Sequence, residues 1–186
     1  VHSYIIDENE MIPIPGKLFY RGIDIDDIVA GFLNDGRMGF EETCYLLLFG
    51  KLPDKSALES FEALLAEYRT LPSGFVRDII MKAPSKDIMN VMSRSVLALY
   101  SYDKKADDNS VSNVVRQCVQ MIAYFPLLAV YGYQAYNHYH GKNSLIIHSP
   151  KENYSTAENI LHMLRPNSEF TKLEATILDL ALVIHA

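Results

Sequence analysis

The chain has 186 residues, 49% of them apolar and 22% charged, with a formal net charge of −6. That is long enough for one domain with a sizeable core, and the composition is that of an ordinary soluble globular protein. The negative balance argues against a protein that follows a phosphate backbone, which wants a basic stripe, but leaves room for a small anionic substrate held by a few local cations.

The first ten residues, "VHSYIIDENE", carry acids and no basic run, unlike a secretory signal. The missing initiator Met suggests a chain trimmed at its front. Next, "MIPIPGK" holds two prolines and a glycine, which forbid a long helix and predict an extended or hairpin segment over 1–22. Asp24 then offers an N-cap, with Asp26 and Asp27 in a first turn where the helix dipole favours acids. That helix carries Ile25, Ile28, Val29 and Phe32 and ends at Asn34-Asp35-Gly36.

A second helix is predicted over 40–49, with Gly50 as its stop. Ser56 and Glu59 have capping-box spacing for a third, whose stripe is Leu58, Phe61, Leu65 and Tyr68 and which closes by Pro72. A short helix over 75–81 stops before Pro84. The next, over 87–100, puts Met89, Met92, Val96 and Leu99 on one side, read as core filler. "SYDKKADDNS" is a charged loop.

A long helix follows over 111–137, with Pro126 inside it. Its stretch "VQMIAYFPLLAVYGY" is shorter than the ~20 residues that span a bilayer and reads as a deeply buried helix of a protein without a membrane span. Residues 138–154 lack periodicity and read as an irregular connection. Ser155 and Glu158 form a capping box, and the last helix opens near Ser168 or Thr171, the latter three residues before Glu174. In "LEATILDLALVIHA" the apolar positions Leu173, Ile177, Leu180, Ala181 and Ile184 share one face, and no glycine, proline or basic turn ends the run. The sum is an all-α chain with an extended start.

Little chemistry is spelled out locally. His138, His140 and His148 fall close together, but in a turn-rich stretch without the defined spacing of a metal site, so surface polarity is expected and no metal. No phosphate loop or hydrolase elbow is present. The pairs Asp26/Asp27 and Glu41/Glu42 sit at helix starts, where the dipole accounts for them. Cys44 and Cys118 lie on apolar helical patterns and read as buried, reduced thiols of a cytoplasmic protein. Arg21, in "LFYRGIDI", suits either a bridge to backbone carbonyls or a carboxylate clamp. His185 shares a face with Leu178 and Leu182.

Four runs together resemble the citrate synthase family: "GKLFYRGIDIDDI" (16–28), "GFEETCYLLLFGKLPDKSALESF" (39–61), "AENILHML" (157–164) and "LDLALVIHA" (178–186). Their order and spacing make the resemblance specific, and it covers nearly the whole chain. It implies the N-terminal part of the family's large helical domain over 1–186, with the small domain and the C-terminal half absent, and a parent enzyme about twice as long. His185 matches the first histidine of the family's His-Ala-Asp/Glu-His segment, whose second histidine contacts oxaloacetate, so His185 is the one substrate-binding residue expected here.

The resemblance implies condensation of acetyl-CoA, a substrate rather than a cofactor, with oxaloacetate. The base, the enolate-stabilising histidine and the carboxylate-clamping arginines match nothing within these residues, so no catalytic residue is expected and the chain alone should be inactive. A homodimer is implied, through helices around Val119 to Tyr131 and Leu173 to His185. Where many relatives carry His-Pro-Met-Asp and a later Arg-Thr, this chain reads "KDIMNVMSRSVLAL", with Arg94 displaced by one. Propionyl-CoA and a 2-methylcitrate product therefore stay open, as does a non-catalytic helical interaction module.

Overall fold

The computed structural model describes residues 2–7 and 10–186; Val1, Glu8 and Asn9, within the predicted extended start, lie outside it. Strands β1 (His2–Asp7) and β2 (Glu10–Lys17) pair antiparallel, with Ile5 opposite Ile12 and Ile6 opposite Met11. Among the described residues β2 has β1 as its one strand neighbour, an edge setting that tolerates Pro13 and Pro15, and the pairing shifts register between His2 and Tyr4, opposite residues 13–17. Strands β3 (Phe19–Tyr20) and β4 (Ile23–Asp24) form a second hairpin. Its two central residues, Arg21 and Gly22, have φ of 51° and 86°, as a type I′ turn demands.

Among the described residues seven α-helices follow: α1 (Ile25–Asn34), α2 (Phe40–Phe49), α3 (Lys55–Tyr68), α4 (Ile88–Leu99), α5 (Val111–Gly141), α6 (Thr156–Leu164) and α7 (Lys172–Ile184). Asp24 caps α1 as expected, Gly50 ends α2 with φ 77°, and both capping boxes, Ser155/Glu158 and Thr171/Glu174, close. Thr171, not Ser168, therefore opens α7. The cap of α3 differs from expectation: Asp54 accepts from Ala57 N at 2.8 Å, two residues ahead of the Ser56/Glu59 pair. The acceptor directly after Leu52-Pro53 wins, and Ser56 lies inside the helix, where its main-chain carbonyl accepts from the Ser60 hydroxyl. The 75–81 segment is a single π-type turn, Val76–Ile80.

Helix α5 runs on to Gly141, past the expected end, and stops at Lys142 in the left-handed conformation. His138 and His140 thus belong to its last turn rather than to an irregular connection. Although α5 is long and apolar enough to cross a membrane, its Leu127, Leu128, Val130, Tyr131 and Ala135 are buried against α4, α6 and the π-turn, in a core shared with Phe75, Val91, Leu99 and Met163. The stretch from Val119 to Tyr131 is therefore largely covered by the chain's own helices, with Phe125 left outside. Here α4 and α5 cross closely: a Cβ on Gly132 would lie 2.9 Å from a Val91 methyl.

A second core joins Tyr20, Ile28, Phe32, Leu46 and Val183, and a third joins Cys44, Phe61, Leu65, Val119 and Ala123. They lock α1, α2, α3 and α7 around the N-terminal end of α5. On α4 the expected Met92, Val96 and Leu99 pack in the first core, while Met89 is 69% exposed because Val91 and Ser95 take the rest of the buried face. The face expected on α7 is turned. Helix α7 buries Ala175, Asp179 and Val183, so that Leu173, Ile177 and Ile184 face outward at 68%, 58% and 50% exposure. The buried face wins because small side chains let α7 approach α2 and α6 closely, and because Asp179 has partners there.

Candidate functional site around His185

His185 ends α7 as its C-cap and is exposed. Its Nδ1 lies 2.7 Å from the carbonyl of Ala181. A carbonyl only accepts, so Nδ1 carries the hydrogen, and Nε2 is the atom that addresses a ligand: a lone pair in neutral imidazole, an N–H donor in imidazolium. The turn bearing it is fixed from below, where the buried Tyr20 hydroxyl donates toward Val183 O (2.9 Å) and Ile184 O (3.1 Å). Burial pushes the Tyr20 phenol up, which keeps it a donor.

One turn deeper, Asp179 is fully buried. Its carboxylate accepts from Gly39 N at 2.7 Å and Phe40 N at 3.2 Å, the first backbone donors of α2. Burial, with Glu41 and Glu158 adding like charge, lifts its pKa to about 6, against the pull of those two N–H groups. Beside it Glu41, 2% exposed, accepts from Thr156 N at 2.7 Å and faces Arg69 Nη2 at 3.4 Å. Arg69 also donates to Tyr154 O and Thr156 Oγ1, tying α2, α3 and α6 together. Glu42 pairs with Arg37. The dipole is thus only part of why Glu41 and Glu42 stand at a helix start: both reach buried or half-buried arginines. Burial pushes the nearby Cys44 thiol up to about 12.

The remaining expected residues lie elsewhere. Arg21 donates from Nε and Nη2 to Leu47 O at 3.2 and 2.6 Å, a bridge to backbone rather than a carboxylate clamp. His138 contacts Asn143 O, His148 contacts Pro166 O, and His140 leans on Tyr136, so the three histidines converge on no common point. A groove of about 740 Å³, lined by Tyr133, Gln134, Asn137, Ile160 and Leu164 among others, does not reach His185. His162 is buried with its Nδ1 unpartnered, and desolvation, then Lys151, holds its pKa down.

The family model described as "Citrate synthase, C-terminal domain" matches residues 2–186. The chain belongs to the citrate synthase family. It is 30% identical over 176 residues to a citrate synthase of Haloferax volcanii, an alignment spanning 92% of this chain and 43% of that one. It is 28% identical over 170 residues to the citrate/2-methylcitrate synthase of Bacillus subtilis, spanning 91% and 42%. The crystal structure of citrate synthase from Pyrobaculum aerophilum has the same fold, with a TM-score of 0.76 at 24% identity, covering 92% of this chain and 42% of that one. The chain therefore spans less than half the length of the relatives it matches. Its largely helical fold with a short N-terminal hairpin is that of a citrate synthase segment.

Sequence reasoning singled out His185 through the family resemblance and missed what fixes it in the fold. Asp179 was visible as one acid inside the apolar run "LDLALV", and Tyr20 as the aromatic before the Arg-Gly turn, but their partners lie 140 and 163 residues away in sequence. Arg69 carried no signal beyond its place at the end of a helix. No local pattern announces any of these pairings.

Proposed function

We infer that this chain serves the citrate synthase reaction, with acetyl-CoA as substrate rather than resident cofactor and oxaloacetate as acceptor. The acetyl methyl loses a proton, its carbon bonds to the oxaloacetate carbonyl carbon, the carbonyl oxygen takes a proton, and water cleaves the thioester to release citrate and CoA. A methyl beside a thioester is a very weak acid, so the step needs a base and an electrophilic donor held together in a dry site. The match to the citrate synthase family model over residues 2–186 carries this reading. Residues 1–186 supply part of the large helical domain and one substrate-binding group, His185, whose Nε2 is free to meet an oxaloacetate oxygen. The family's base, enolate-stabilising histidine and carboxylate-clamping arginines match nothing among residues 1–186, and on that ground the 186 residues by themselves are expected to give no turnover. The free thiols of Cys44 and Cys118 suit a cytoplasmic setting.

The polypeptide of the complete reading frame, assayed with acetyl-CoA and oxaloacetate, should release CoA, and the 186-residue chain should not. Turnover by the short chain would refute the placement of the site; none by the long one would refute the reaction. The name of the Bacillus relative makes propionyl-CoA the second acyl donor to compare. A different reading, a non-catalytic helical interaction module, draws on the outward apolar face of α7 and predicts partner binding without CoA release.

A further inference from the structure

We propose that Asp179 is the positioning residue for His185: from inside α7 it caps α2, whose own cap residue has no side chain, and so fixes where α7 ends. The inference rests on the reading of His185 as a substrate-binding group.

Three observations meet at this point. Helix α2 begins at Gly39 with no side-chain cap of its own, and none is possible there, because a Cβ would fall 2.2 Å from the Phe32 ring. A helix start leaves orphan N–H groups and a positive dipole end, both of which favour an anion. Asp179 supplies it from 140 residues away, meeting Gly39 N and Phe40 N with its two separate oxygens. Second, among the described residues no cation pairs with the carboxylate. The charged groups that influence it are Glu41 of α2 and Glu158 of α6, both acidic, and the Cys44 thiol of α2 responds to it in turn; Arg69 is engaged with Glu41. A buried charge among like charges is a poor choice for stability alone. Third, Asp179 lies below His185 on the same short helix, whose final carbonyls Tyr20 holds. Release of the Asp179 contact frees α7 to slide or rotate on α2, and His185 moves with it.

The sign of the pH dependence separates positioning from simple support. Burial holds the Asp179 carboxyl at about 6 in the fold, above its ordinary value of 3.8. Its stabilising contribution is therefore present below the unfolded value and lost as pH rises through about 6. Asn keeps one acceptor but sets its NH2 against the second α2 N–H, so Asp179→Asn should lower the Tm at pH 7.5 and should abolish the decline in stability that the wild type shows between about pH 4 and 6.

Two further measurements decide the role. In NMR spectra of the 186-residue chain, the Gly39 and Phe40 amide protons should titrate together near pH 6 in the wild type and not in D179N, and the His185 ring signals should shift and broaden in D179N. In the polypeptide of the complete reading frame, D179N should raise KM for oxaloacetate roughly tenfold, about the loss of one cap's worth of order, with KM for acetyl-CoA unchanged. His185 signals identical in both proteins, or a lowered Tm with unchanged KM, would overturn the proposal and leave Asp179 a structural residue. A wild type that titrates as described yet does not turn over oxaloacetate would sink the reaction assigned above while the ring signals still decide the positioning.

Discussion

Arg69 and Glu41 show how a single residue joins distant parts of this chain. The guanidinium is 6% exposed and spends its donors on Tyr154 O, Thr156 Oγ1 and Glu41, while Glu41 also accepts from Thr156 N. Removing one partner of a buried pair strands the other, at a cost of about 3–5 kcal/mol. Arg69→Ala should lower unfolding stability by that order in urea titrations, whereas changing both residues to apolar side chains of similar volume should lower it far less. Little of this scale was legible beforehand. A bridge from Arg21 to a backbone carbonyl was one of two readings its setting allowed, and His185 followed from the resemblance. The buried polar contacts of Tyr20, Arg69 and Asp179 were not legible, because a hydrogen bond across more than a hundred residues leaves no spacing to read.

At the scale of elements the sequence was far more telling. Caps and stops are local chemistry, so Asp24, Gly50, Ser155/Glu158 and Thr171/Glu174 marked their helices correctly. Errors arose where competing local options existed, as at Asp54 against Ser56, and at the end of α5, which ran through Pro126 as expected but on to Gly141, where a left-handed Lys142 stops it. A proline removes one backbone bond and bends a helix; packing on α4 and α6 stabilises α5 regardless. The choice of buried face on α7 failed for another reason. Counting apolar residues favours Leu173 and Ile177, but close approach to α2 and α6 favours the smaller Ala175 and Val183. The same closeness governs the α4–α5 crossing, where Gly132→Ala should push Val91 aside and destabilise by about 1–3 kcal/mol, read as a fall in denaturant midpoint at unchanged m-value.

For the whole molecule, the assembly follows from which surfaces stay open. The Val119 to Tyr131 stretch is already covered within one subunit, so α7 carries the argument for a second copy. Leu173, Ile177 and Ile184 make an apolar outer stripe that invites an isologous contact. In sedimentation at micromolar concentration, the polypeptide of the complete reading frame should run as a dimer and L173E/I177E as a monomer. A wild-type monomer would end the homodimer reading. The buried thiol of Cys44 has a practical corollary here. Thiolate is the reactive form, and a sulfhydryl held near 12 inside the α2–α3 packing supplies almost none at neutral pH. A colorimetric reagent added to follow CoA should therefore be blind to Cys44 until the helices part, so delayed colour from that side chain is a clock for global opening, with no label attached.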